Sequence, residues 1–165
     1  MAALNFQHRI PSGLLESFER SPRVFMRHLD RAARRGAQEG ARQERRLAPK
    51  GFSTLTQSIG VDRLGAGVYR FGPSVDYAEM VEQGTGRGGF PPIPGLMAWI
   101  RVKRIQPRDD TMTAEDLAYA MARSIVRRGT PAQPFVAPVA EKLPSRLMEL
   151  MDQALVDALT EARLQ

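Results

Sequence analysis

The segment from Pro22 to Leu47 constrains the fold more than any other part of the chain. Ser21-Pro22 reads as a helix start, a serine cap with proline in the first turn, and Ala48-Pro49-Lys50-Gly51 stops the helix. At ~100° per residue, Arg23, Arg27, Arg31, Arg34, Arg35, Arg42, Arg45 and Arg46 fall within an arc of roughly 140°. Phe25, Met26, Leu29, Ala32, Ala33, Gly36, Gly40 and Leu47 occupy the other side. Such a helix needs its apolar side covered, so a sheet or a second long helix must pack there. Gly36 and Gly40 each weaken the helix by ~1 kcal/mol relative to alanine, a cost that a closely packed backbone would explain. The arginine stripe is either a solvated outer face or an electropositive surface turned to DNA or a neighbouring subunit.

The rest of the pattern divides a single domain of 165 residues into five parts. Residues 1–13 read as a flexible arm, and 14–51 as the N-terminal helices, a short one from Leu14 to Arg20 before the long one. Residues 52–92 read as a β-hairpin and loop. There Leu55, Gln57, Ile59 and Val61 alternate with polar or small residues, Asp62 to Gly67 turns the chain, and Val68 to Phe71 returns it. A short helical segment with Tyr77, Met80 and Val81 inward follows, then a Gly- and Pro-rich stretch from Gly84 to Pro94. Residues 93–129 read as a two-helix insertion. Leu96, Met97, Ile100 and Lys103 share a face of its first helix. In its second, Thr113-Ala-Glu-Asp116 resembles a capping box, Leu117, Met121 and Ile125 form a line, and Gly129 falls just past the end. Residues 130–165 read as a short strand around Phe135-Val136 and a C-terminal helix opening at Pro144-Ser145. Leu147, Leu150, Met151, Ala154, Leu155, Ala158 and Leu159 stripe that helix. Helices flanking one small antiparallel sheet make an α+β fold.

Composition narrows the function classes. The net charge of +6 and sequence pI of about 10.4 favour polyanionic partners, nucleic acid first. The absence of cysteine removes disulfides, thiolate metal sites and cysteine nucleophiles. No apolar run approaches the ~18–20 residues that span a bilayer. The first residues lack a basic region followed by an apolar core, so cytoplasmic synthesis without a membrane partner is expected.

No set of residues points to catalysis, a cofactor or a metal. His8 and His28 lie far apart without acid-rich metal spacing. Gly84-Thr-Gly-Arg-Gly-Gly89 lacks the lysine and the following helix of a phosphate loop, since Phe90-Pro-Pro comes next. Asp109-Asp110 reads as a turn before a helix, and Trp99 as a core or interface anchor. Ser58, Ser74 and Ser124 have no nucleophile-elbow context. The expectation is a protein that is not an enzyme.

Three stretches carry a resemblance. They are Ala48-Pro49 leading into Leu55-Thr-Gln-Ser58-Ile59; Val75-Asp-Tyr77-Ala78-Glu-Met-Val-Glu-Gln-Gly84-Thr85; and Pro131-Ala-Gln-Pro134-Phe135-Val-Ala-Pro138. In this order, over about residues 22–160, they resemble the neck and tail-completion proteins of long-tailed double-stranded DNA phages, relatives of the lambda Z-type protein. The chain departs from that pattern in Lys50-Gly-Phe-Ser-Thr54, where Asp-Thr-Gly is usual, and in the two-helix insertion. The resemblance implies a structural virion protein at the head–tail junction, assembling as a ring, six-fold by expectation, around the DNA channel. Implied partners are a head-closure or connector ring, a tail terminator or tail tube protein, and passing double-stranded DNA. Arg27, Arg31, Arg34, Arg35, Arg42, Arg45 and Arg46 would face DNA or a partner, and Glu82, Thr85 and Arg87 a neighbouring subunit. The alternative is a small basic regulatory or DNA-binding protein that ignores sequence, because Gln38 and Gln43 alone are placed to read bases.

Overall fold

The computed structural model describes residues 13–163 apart from 52, 108 and 110. Residues 1–12 of the expected arm, His8 among them, and Asp110 of the acidic pair lie outside the described residues, while Gly13 stands at the N-cap of the first helix. The fold is α+β, with seven helices and a two-stranded antiparallel sheet among the described residues. In chain order these are α1 (Leu14–Arg20), α2 (Pro22–Leu47), α3 (Thr54–Ser58), β1 (Gly60–Gly65), β2 (Val68–Gly72), α4 (Ala78–Gln83), α5 (Ile93–Lys103), α6 (Ala114–Arg128) and α7 (Ala137–Arg163).

Helix α2 is covered by a long helix and by the sheet. It lies antiparallel to α7: Arg27 and His28 meet Glu161 at one end, while Glu39 meets Arg146 at the other. Along this seam, Phe25 packs with Ala158 and Leu159, and Ala32 with Leu150 and Ala154. A Cβ at Gly36 would stand 2.9 Å from Leu147 Cδ1, and one at Gly40 would stand 2.6 Å from the Phe71 ring. The two glycines therefore admit side chains of α7 and β2, where the sequence suggested a backbone. Met26 and Leu47, expected inward, are about half exposed, and Val24, Ala37 and Ala41 are buried instead. Ser21 stands at the N-cap without a side-chain capping bond.

Four other expectations are corrected. Residues 54–58 are helical, not strand, because Leu55 and Ile59 are four apart and both reach the core with Ala41, Ala48, Ala78 and Phe135. The strand β1 begins at Gly60 and continues through Asp62–Gly65, so Ala66-Gly67 alone turns the hairpin, with an irregularity between Arg63 and Gly65. On α4 the buried residue is Ala78, while Tyr77 and Met80 are exposed. Finally, Phe135-Val136 is not a strand, and α7 begins at Ala137 with Pro144 inside it. An internal proline removes a hydrogen bond and crowds the carbonyl four residues back, so something must hold the turn before it. That contact belongs to the candidate site.

Helices α5 and α6 pack chiefly on each other, burying Ile100, Ala118 and Ala122. Thr113 and Asp116 form the anticipated capping box, with Asp116 N–H 3.1 Å from Thr113 Oγ1 and Thr113 N–H 3.0 Å from Asp116 Oδ2. Leu117, Met121 and Ile125 are half-buried on this helix. The pair is joined to the body through Lys103, whose ammonium donates to the Lys50 carbonyl, and through a backbone bridge between Thr85 and Thr130.

Candidate functional site

Two regions combine charge with defined geometry, the junction where α4 meets the start of α7 and the arginine face of α2. The junction is organised by Glu82. One oxygen of its carboxylate accepts the N–H groups of Phe135 at 2.7 Å and Val136 at 2.9 Å, and the other accepts that of Ala137 at 2.8 Å. These are the donors that a helix N-terminus leaves unsatisfied, and a negative charge there also complements the helix dipole. Burial raises the Glu82 pKa, but the three N–H groups outweigh it and hold the carboxyl below its usual range. This cap explains why α7 starts seven residues ahead of Pro144. It also seats Phe135, fully buried, against Leu55 and Ile59.

The chain after Glu82 is fastened to the same segment. Gln133 N–H donates to the Val81 carbonyl at 2.9 Å, and Thr85 and Thr130 exchange backbone hydrogen bonds at 3.0 and 3.2 Å, with their hydroxyls 2.8 Å apart. Gly84 and Gly129 flank this bridge with φ of 74° and 76°. A Cβ at Gly129 would lie 1.8 Å from the Thr85 carbonyl oxygen, so no side chain fits there. Glu82 and Thr85, expected at a subunit boundary, thus direct their polar groups within the chain, and Arg87 is exposed. Of the motif residues, Ala78 and Phe135 are buried and Tyr77 and Pro134 are exposed. Pro49 is half-buried, and the Ser58 hydroxyl donates to the Leu55 carbonyl at 2.7 Å. The Ser58 carbonyl in turn accepts from Ser74 N–H at 3.2 Å, tying α3 to the end of β2.

Glu44 was not anticipated. It is a carboxyl on α2 with 2 % exposure, and its Oε2 has no hydrogen-bond partner among the described residues. Burial, with repulsion from Glu82, pushes its pKa up to about 7. Its helical position, on the apolar side of α2 three residues after Ala41, was the available signal.

All eight arginines of the α2 stripe are exposed. Arg27 pairs with Glu161, Arg35 with Glu39 at 3.0 Å, and Arg45 Nε donates to the Ile59 carbonyl at 3.0 Å. Arg23, Arg31, Arg34, Arg42 and Arg46 form no ion pair with a described residue. The other contacts of the α2 acids lie on the hairpin and on α7. Asp30 accepts from Gly67 N–H at 2.8 Å, Tyr69 Oη at 3.0 Å and Arg63 at 3.3 Å, which draws its pKa down. Glu39 is held low chiefly by Arg146, which donates at 2.9 Å.

Among the described residues no three His, Asp or Glu side chains are grouped to hold a metal. Asp109 accepts the backbone N–H and hydroxyl of Thr111, as a turn residue does. No described helix is long and apolar enough to cross a membrane. In comparisons with known protein families, curated proteins and solved structures, the chain matches none.

Proposed function

We propose that this protein is a structural component of a phage neck, without catalytic activity, that completes or terminates the tail and joins it to the head. In this reading copies of the chain form a ring, expected to be a hexamer, around the DNA channel in the virion. A head-closure or connector ring lies on one side and a tail terminator or tube on the other. One observation carries the reading. Two of the stretches that resemble the family, 75–85 and 131–138, are a single physical unit, locked by Glu82 on the N–H groups of 135–137 and by the Thr85–Thr130 bridge. Motifs that interlock in this way share one structural purpose, shaping the junction from which α5 and α6 are presented.

The second reading, a small basic protein that binds DNA without reading sequence, is favoured by the exposed arginines of α2 that have no ion-pair partner among the described residues. Assembly separates the two. Native mass measurement of the protein, alone and mixed with tail tube or connector, should give a closed ring or a defined complex. A monomer or dimer that joins neither partner, and is missing from virions imaged by cryo-EM, would overturn the neck reading. A purified sample that hydrolyses nucleotide, peptide or peptidoglycan at a rate lost on one substitution would overturn the absence of catalysis.

A further inference from the structure

The fold divides the arginine stripe, and the division points to a ligand. The acids on α2 leave the hairpin side of the stripe free: Asp30 holds the hairpin, Glu39 bridges Arg35 and Arg146 of α7, and Glu44 is buried. The cations are less evenly engaged. On the α7 side, Arg27 and Arg35 have carboxylate partners, and Asp157 borders the groove that Arg31 and Arg35 line. On the hairpin side, Arg34, Gln38, Arg42 and Arg45 follow one another at intervals of four, four and three residues. That row is about 16 Å long at ~1.5 Å per residue.

Strand β1 turns the row into a concave surface. Gln38, Arg42 and Arg45 line a cleft of about 410 Å³ whose other wall is Val61. Arg34 continues the row one turn before Gln38 on the same exposed face. Arg45 is fixed by its bond to the Ile59 carbonyl, so its charge is oriented before any ligand arrives. The large exposed apolar side chains of α2, Met26 and Leu47, sit at its two ends and on the opposite side. Protein interfaces are anchored by buried aromatic or aliphatic side chains, whereas a phosphate backbone asks only for spaced cations and donors.

We infer that the α2–β1 cleft, with Arg34, Gln38, Arg42 and Arg45, binds the phosphate backbone of double-stranded nucleic acid without reading its sequence. This assignment rests on the neck reading for DNA as the natural polyanion, and names the part of the chain that meets it. Arg34, Arg42 and Arg45 contact phosphates, while Arg27 and Arg35 hold the fold.

The test is fluorescence anisotropy of the full-length protein with two short duplexes of unrelated sequence, across a salt series. Three phosphate contacts should lower affinity about 40-fold between about 50 and 200 mM salt, equally for both duplexes. Arg34→Gln with Arg42→Gln should leave only about a 4-fold dependence, whereas Arg127→Gln with Arg128→Gln, an equal charge change on α6, should leave the slope intact. An equal loss in the α6 pair, a preference between the duplexes, or undetectable binding at the lowest salt would overturn the assignment. So would displacement by polyglutamate as readily as by duplex, which would give the cleft to an acidic protein. Ring formation is measured separately by mass, so the neck reading and the cleft can fail independently.

Discussion

The α2–α7 pair and the α5–α6 pair are both helix pairs, but only the first is tied from end to end. Along α2–α7, Gly36 lets Leu147 and Leu150 approach the helix axis, and ion pairs close both ends of the seam. The α5–α6 pair buries only Ile100, Ala118 and Ala122, and leaves Val102 and Tyr119 exposed. Length and sealed ends make the first pair a framework. The second has a good local start, its capping box, and depends for position on the Thr85–Thr130 bridge and the Lys103–Lys50 bond. Stability should therefore differ between the regions, with the body setting the global value and α6 opening locally.

The largest test of this contrast is Gly129→Ala. The new methyl group would meet the Thr85 backbone at 1.8 Å in a left-handed conformation, and overpacking plus strain should cost ~3–5 kcal/mol. Chemical denaturation reads this directly. A loss below ~1 kcal/mol would show that the bridge does not join the regions.

Glu82→Ala leaves three N–H groups at the head of α7 without their acceptor, which should cost ~2–4 kcal/mol. Amide exchange should rise first at 135–140. Unchanged exchange there would return the early start of α7 to local sequence.

Glu44 supplies the pH test. Its folded pKa is raised to about 7 from 4.5, so its contribution is most favourable below pH 4.5 and declines as pH rises to 7. The decline should total ~3 kcal/mol at about 1.4 kcal/mol per pH unit, then level off. Glu82, Asp30 and Glu39 act in the opposite sense, since their lowered pKa values remove stability as pH falls toward and below the usual carboxylate range. Glu44→Gln should flatten the decline between pH 4.5 and 7. An identical pH profile in that variant would place Glu44 in water rather than in the core.

Two smaller effects separate the pairs further. Gly36→Leu presses on the Leu147 side chain, which can move, and should cost ~1–3 kcal/mol of global stability. Unchanged thermal stability would mean that this face of α2 is not covered. Asp116→Ala removes half of the capping box and should cost ~1 kcal/mol. The loss should appear as faster amide exchange in α6 with little change in global unfolding. A global shift of equal size would mean that both pairs unfold as one.

What the sequence determined by itself was whatever depends on neighbours within one or two turns. The span of α2, the apolar stripe of α7, the capping box at Thr113 and the glycine after α6 are all of this kind, because periodicity and caps act through local geometry. The arginine face was equally legible, since angular position follows from residue number. Tertiary structure decided the rest. The start of α7 is set by a carboxylate 53 to 55 residues away in sequence, and no local pattern can announce such a cap. The same holds for the helical turn at 54–58, where burial of Leu55 and Ile59 against Phe135 overrides an alternating pattern. It also holds for the arginines. Sequence aligned them on one face and set Glu39 four residues after Arg35, but only the positions of Glu161 and Ile59 decided that Arg27 and Arg45 are engaged as well.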